Sequence, residues 1–91
     1  MIRSWANSAT RKFAEDGKNK FSGLDVDSAA ELLAALDAAG SLGDLSPLKS
    51  VGLHKLSCDR KDQWAMTVNG PWRVCFEFRD GDAWDVEIVD Y

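Results

Sequence analysis

Three runs near the C-terminus alternate large apolar residues with smaller or polar ones at a period of two, and nothing else in the sequence constrains the fold as much. Trp64, Met66 and Val68 alternate with Gln63, Ala65, Thr67 and Asn69; Trp72, Val74, Phe76 and Phe78 with Arg73, Cys75, Glu77 and Arg79; Trp84, Val86 and Ile88 with Asp85, Glu87 and Tyr91. This period marks half-buried antiparallel strands, so the pattern predicts a sheet with one face covered and the other polar. Turn residues separate the runs at Asn69-Gly70-Pro71 and Asp80-Gly81-Asp82. The large apolar residues are even-numbered throughout. Partners on one face must then pair even with even, and each loop must hold an odd number of residues. Three-residue loops at 69–71 and 80–82 satisfy this. A two-residue turn would pair Asn69 with Trp72 and mix the faces, and is rejected on that ground. The resulting register sets Thr67 and Val89 opposite Arg73 and leaves Tyr91 diagonal to it, roughly 7–8 Å away at Cα. Arg73 is thereby expected on the polar face, with Trp64, Trp72 and Trp84 on the covered one.

The first half of the chain supplies the cover. "MIRSW" suits an opening strand. Asn7 or Ser8 offers an N-cap for a helix running through Phe13, and Gly17 can take the left-handed position that ends it. "KNKFSGLDVD" reads as a loop or a short helical turn. In "DSAAELLAALDAAG", Ser28 and Glu31 match a capping box, Leu32, Leu33 and Leu36 mark the buried side, and Gly40 stops the run. Pro47 and Gly52 then break helical continuity, and "LHKLS" begins the strand region.

At 91 residues the chain is expected to form one domain over residues 1–91. No stretch approaches the roughly 20 apolar residues a membrane span needs, and the N-terminus lacks a secretory pattern, so a cytoplasmic setting without membrane partners is expected. Cys58 and Cys75 stand apart and there is one histidine, so no metal-ligand spacing exists and two free thiols are expected. A net charge of -4 argues against nucleic acid at first sight. Its distribution changes that: Arg3, Arg11, Lys12, Lys18 and Lys20 make residues 1–20 net positive, and Lys49, Lys55, Arg60, Lys61 and Arg73 do the same for residues 49–73. A local basic patch on an acidic protein is one reading of these charges, and a solvated surface is the other.

The opening "MIRSW", the Ala- and Leu-rich second helix, "LHKLSCDRKDQWAMTVNGPWRVCFEF" and the terminal "GDAWDVEIVDY" together resemble the HigB-type toxins of the RelE/ParE superfamily, over essentially the whole chain and most specifically in residues 53–91. The resemblance implies a RelE-like α+β fold, with N-terminal helices packed on one face of a small antiparallel sheet of four to five strands. It implies an endoribonuclease that cuts messenger RNA on the translating ribosome without a metal or other cofactor. A helix-turn-helix antitoxin of the HigA type would neutralise it, and operator DNA would be reached only through that antitoxin. Two departures stand out. Relatives usually follow the terminal Asp-Tyr with a catalytic histidine, where the sequence here stops at Tyr91: either the natural chain runs further, or the protein works without that group or is impaired by its lack. They also carry a lysine within Leu-Lys-Gly-Asp-Arg, where this chain reads "LSCDR" with Ser57 at that position. Lys55 lies one strand repeat earlier, on the same face, and can stand in for it in part.

Metal-free RNA cleavage needs a base for the 2′-hydroxyl, a cation for the charge on the phosphorane-like transition state, and an acid for the leaving oxygen. Arg73 suits the second task, because its guanidinium grips phosphate oxygens bidentately and keeps its charge. Asp90, Tyr91 and His54 are candidates for the proton transfers; Tyr91, ordinarily near ~10, would need a neighbouring cation, and Arg73 is at hand. Lys55, Ser57, Arg60 and Lys61 are candidates to hold the RNA backbone. The plainer alternatives are an ion pair from Arg73 to Glu77, Asp90 or the terminal carboxylate, and a satisfied polar role for His54. At the level of the molecule, a non-catalytic antitoxin-binding module in an autorepressor complex remains open, as does a gyrase poison.

Overall fold

A computed structural model describes residues 1–17, 21–44, 54–55 and 63–90. Helix α1 spans Ser8–Asp16. Asn7 caps it by accepting the Thr10 N–H at 2.9 Å, and Gly17, at φ 71°, closes it by donating its N–H to the Phe13 carbonyl at 3.0 Å. Both ends follow the expected chemistry. Helix α2, Val26–Ala38, starts earlier than the expected Ser28 capping box. Asp25 is the cap, and it accepts both the Ser28 N–H at 3.2 Å and the Ser28 hydroxyl at 3.0 Å, which leaves Ser28 inside the first turn. A carboxylate at this cap also complements the positive end of the helix dipole. The helix ends at Ala38 with Ala39 as its C-cap, one residue before Gly40, and a short 3-10 turn follows at Leu42–Asp44.

Four strands make an antiparallel sheet in sequential order: β1 at His54–Lys55, β2 at Gln63–Asn69, β3 at Trp72–Arg79 and β4 at Asp82–Asp90. The opening segment is not a full strand. It runs parallel to the outer edge of β4 through two isolated bridges, Ile2 to Ala83 and Trp5 to Val86. Phe13 of α1 and Ala29, Leu32, Leu33 and Leu36 of α2 form one core with Met66, Val74, Phe76, Ala83, Val86 and Ile88 of the sheet. Trp5, Trp64 and Trp72 pack at its margin. The even-numbered face is thus the helix-bearing face for most of the sheet.

The strand connections depart from the expected odd loops. Asn69 pairs with Trp72, and Arg79 with Asp82, so both turns contain two residues. Asp80 and Gly81 have φ of 53° and 78°, the positive pair that a type I′ turn requires; Gly70, at φ 48°, takes the first turn position ahead of Pro71. The mixing of faces that argued against such turns is absorbed by β-bulges. One lies between Thr67 and Asn69, so that Val68 and Asn69 together oppose Trp72. The other lies opposite Phe76, between the pairs Cys75–Glu87 and Glu77–Trp84, and contains Asp85 at φ 53°. Each inserts one residue, which converts an even loop into the parity the core demands.

Beyond each bulge the expected register holds, with Arg73 between Thr67 and Val89. Before it, parity is reversed. Ala83 therefore enters the core at 0% exposure, and Trp84 pairs with Glu77 on the face away from the helices, which corrects its expected place in the core.

Candidate functional site

The far face of the sheet, opposite the helices, carries Thr67, Arg73 and Val89 in one row and Ala65, Cys75 and Glu87 in the next. Ala65 and Cys75 are fully buried and Val89 packs on them, so this face has a small apolar floor of its own. Cys75 is buried at the centre of that floor.

Arg73 stands at the rim of this floor, beside the β2–β3 turn. Its Nη1 donates to the Gly70 carbonyl at 2.7 Å and to the Trp72 carbonyl at 3.1 Å. A guanidinium carries five N–H donors, and the two on Nη1 are the ones aimed at the turn. The Nε–Nη2 edge makes no hydrogen bond and the side chain no ion pair among the described residues. Glu77, one of the plainer partners considered for Arg73, sits instead 3.4 Å from Arg79 Nε. The turn thus fixes one end of the guanidinium, and among the described residues its other, bidentate edge has no partner.

The other expected site residues are placed as follows. Asp90 is exposed at the end of β4, with Trp72 as its register partner. Trp72 belongs to the helix side, where its indole donates to the Ser22 carbonyl at 3.1 Å, so strand alternation directs Asp90 to that side and not into the Arg73 row. The backbone of His54 pairs with Ala65, in the row next to Arg73, and that of Lys55 pairs with Trp64. Tyr91, Ser57, Arg60 and Lys61 lie outside the described residues, as does Cys58.

A second group of polar residues lies further along the same face. The Arg79 guanidinium sits over the Trp84 ring, its Cζ 4.2 Å from the ring centroid, and its Nε is held by Glu77. The indole N–H of Trp84 is buried and finds no acceptor in the structure of the described residues. Alternation alone hides this group. The signal for it was Asp80-Gly81, the dipeptide of a two-residue turn, which sets Trp84 opposite Glu77.

On the opposite side of the molecule, a groove of about 610 Å³ opens between the N-terminal segment, α1 and α2; Trp5, Phe13, Val26 and Leu33 line it, with Glu15 and Asp37 among its walls. It is separated from Arg73 by the sheet. No group of histidine, cysteine, aspartate or glutamate side chains suited to a metal occurs among the described residues, and no described helix is long and apolar enough to cross a membrane.

Comparison with known proteins bears on what this arrangement does. The HigB-like toxin family model, described as RelE-like toxin of type II toxin-antitoxin system HigB, matches residues 3–91. A protein of Proteus vulgaris named Endoribonuclease HigB is 35% identical over 94 residues, an alignment that covers 100% of this chain and 99% of that relative.

Proposed function

This chain belongs to the HigB-like toxin family, the RelE-like toxins of type II toxin-antitoxin systems, and from that membership we propose that it is an endoribonuclease toxin: it cuts messenger RNA on the translating ribosome, without a metal, and a helix-turn-helix antitoxin neutralises it. The family match supports the toxin assignment, and the name of the Proteus vulgaris relative supports the nuclease chemistry.

The observation that carries the reading is the half-used guanidinium of Arg73. In cleavage through the 2′-hydroxyl, the 2′-oxygen attacks phosphorus as its proton leaves, a pentacoordinate phosphorane collects negative charge, and the 5′-oxygen departs with a proton. The greatest need is for a fixed cation at the equatorial oxygens, because charge developed there is stabilised best by donors that do not reorganise during the reaction. Arg73 meets this need: its Nη1 is anchored on the Gly70 and Trp72 carbonyls, and its Nε–Nη2 edge, without a partner among the described residues, has bidentate geometry. Tyr91 and His54 are assigned the proton transfers; Asp90, which strand alternation turns to the helix side, is not. Lys55, Ser57, Arg60 and Lys61 are assigned the flanking backbone, where positive charge offsets the acidic balance of the whole chain.

Cleavage of a defined message on purified, programmed ribosomes tests the proposal. Arg73→Ala is expected to lower kcat by about 10²–10³-fold, the usual consequence of deleting one oxyanion donor. It also removes two hydrogen bonds to the turn, a stability loss of about 1–2 kcal/mol that a urea melt resolves separately. Arg73→Lys can still reach a carbonyl but offers no bidentate edge, and should recover the stability more than the rate. Undiminished cleavage by Arg73→Ala overturns the assignment. Intact antitoxin binding with no cleavage by the wild-type chain leaves only a binding module.

A further inference from the structure

Arg73 is not the only arginine prepared on the far face. We propose that Arg79 and Trp84 form a stacking site for one base of the bound RNA, a few nucleotides from the phosphate held by Arg73. The proposal rests on the nuclease reading for the identity of the RNA, and on separate geometry for the site.

Trp84 shares a row with Glu77, four residues along β3 from Arg73 on the same face, or roughly 13 Å at strand rise. That is a span a single strand of RNA covers with a short run of nucleotides. The Arg79 guanidinium lies over the indole with its Cζ 4.2 Å from the ring centroid, and the side chain is nevertheless 49% exposed. A planar cation stacked on an aromatic on one side presents its second plane outward, and guanidinium planes stack on nucleobases.

The electrostatics separate this site from the phosphate site. Glu77 lies 3.4 Å from Arg79 and offsets its charge, whereas Arg73 has no acidic partner among the described residues. A neutralised plane favours a base over a phosphate. The buried indole N–H has no acceptor among the described residues, so the ring's polar contact there is the one with the Arg79 guanidinium.

The experiment measures affinity of the full chain for ribosomes programmed with a message carrying 2′-O-methyl sugars, which cannot be cut through the 2′-hydroxyl. A series of such messages removes one base at a time from the nucleotides around the cleavage point. Wild-type protein is expected to lose about tenfold in affinity at one abasic position, the ordinary value of one stacked base. Arg79→Ala should bind the intact message about tenfold more weakly, with no further loss at that position. Arg79→Lys, which keeps the charge and loses the plane, should resemble Arg79→Ala, and the loss should be nearly independent of salt because no counterion release is involved. Wild-type affinity in Arg79→Ala overturns the proposal, as do full rescue by lysine or additive losses at every abasic position. A loss of antitoxin affinity with RNA binding unchanged does so too, and reassigns the corner to a protein partner. Cleavage of ordinary message is scored in parallel. Base-dependent binding without cleavage sinks the nuclease reading alone, and cleavage without the Arg79 effect sinks the stacking site alone.

Discussion

Side chains that look alike in the sequence are separated by what their neighbours leave free. Arg73 and Arg79 share a strand and a face, yet Arg79 is engaged by Glu77 and Trp84 while, among the described residues, Arg73 spends only one nitrogen, on backbone carbonyls. The position of Arg73 was legible because an even-odd pattern survives any bulge that is compensated by its turn. The place of Asn69 was not. Its sequence context marks it as a turn residue, and the structure gives it a bridging role: its Nδ2 donates to the Gly23 carbonyl at 2.9 Å and its Oδ1 accepts the Asp25 N–H at 2.8 Å. Asp25 is the cap of α2, so one amide ties the tip of the β2–β3 hairpin to the start of the helix that covers the sheet. Asn69→Ala leaves both backbone groups without a protein partner and should lower stability by about 1–2 kcal/mol. A urea titration should show the midpoint falling while the slope stays constant, since no change in the exposed surface of either state is involved. A changed slope, or an unchanged midpoint, contradicts the bridging role.

Strands and turns were legible as elements and misread at their joints, for one physical reason. Parity requires an odd insertion between two faces of equal number, and a chain can place that residue in the loop or in the ladder. Here it is placed in the ladder, because Asp80-Gly81 readily supplies the two positive φ angles of a tight turn and the displaced N–H of the bulge finds a side chain: Asp85 N–H donates to Ser4 Oγ at 2.8 Å. The Ser4 partner is some eighty residues away and invisible to local pattern. The α2 boundary was missed in the same way, since Asp25 and Ser28 are both good caps and only the tether to Asn69 favours the first. The bulge makes a testable demand at Asp85, whose φ of 53° tolerates aspartate or glycine and penalises branching. Asp85→Gly should stay within about 0.5 kcal/mol of wild type, while Asp85→Val should lose roughly 1–2 kcal/mol. Equal stability of the two variants means that the backbone is not left-handed there, and that Trp84 does not turn to the far face by this route.

Across the molecule, the outer edge of β4 is covered by the N-terminal segment, and the fastening is electrostatic. Arg3 Nε donates to Asp82 Oδ2 at 3.0 Å, the Met1 α-amino group lies 3.3 Å from Asp82 Oδ1, and the Ile2 N–H donates to Asp37 of α2 at 2.8 Å. Backbone bonds from Arg3 and Ala6 to Ala83 and Val86 complete the join, so an edge that would otherwise present open donors and acceptors is closed. The Arg3 hydrogen bond, with a smaller contribution from the α-amino group, holds the Asp82 carboxyl below its ordinary value against the opposing effect of partial desolvation. A carboxyl depressed in the folded state binds its proton more weakly there than in the unfolded chain. Its contribution is therefore complete above the unfolded value, near ~3.9, and is lost as pH falls through the lower folded value. Asp82→Asn should have a lower urea midpoint than wild type near neutral pH, and the two curves should converge in strong acid, where wild-type Asp82 is protonated as well. Amide exchange at Ala83 and Val86, whose N–H groups bond to the N-terminal segment, should accelerate in the variant while exchange within β2 and β3 is unchanged. Curves that stay parallel into acid would assign the loss to packing and not to the charge on Asp82, and the N-terminal segment would then be held by its backbone bridges and the seating of Trp5 on the core.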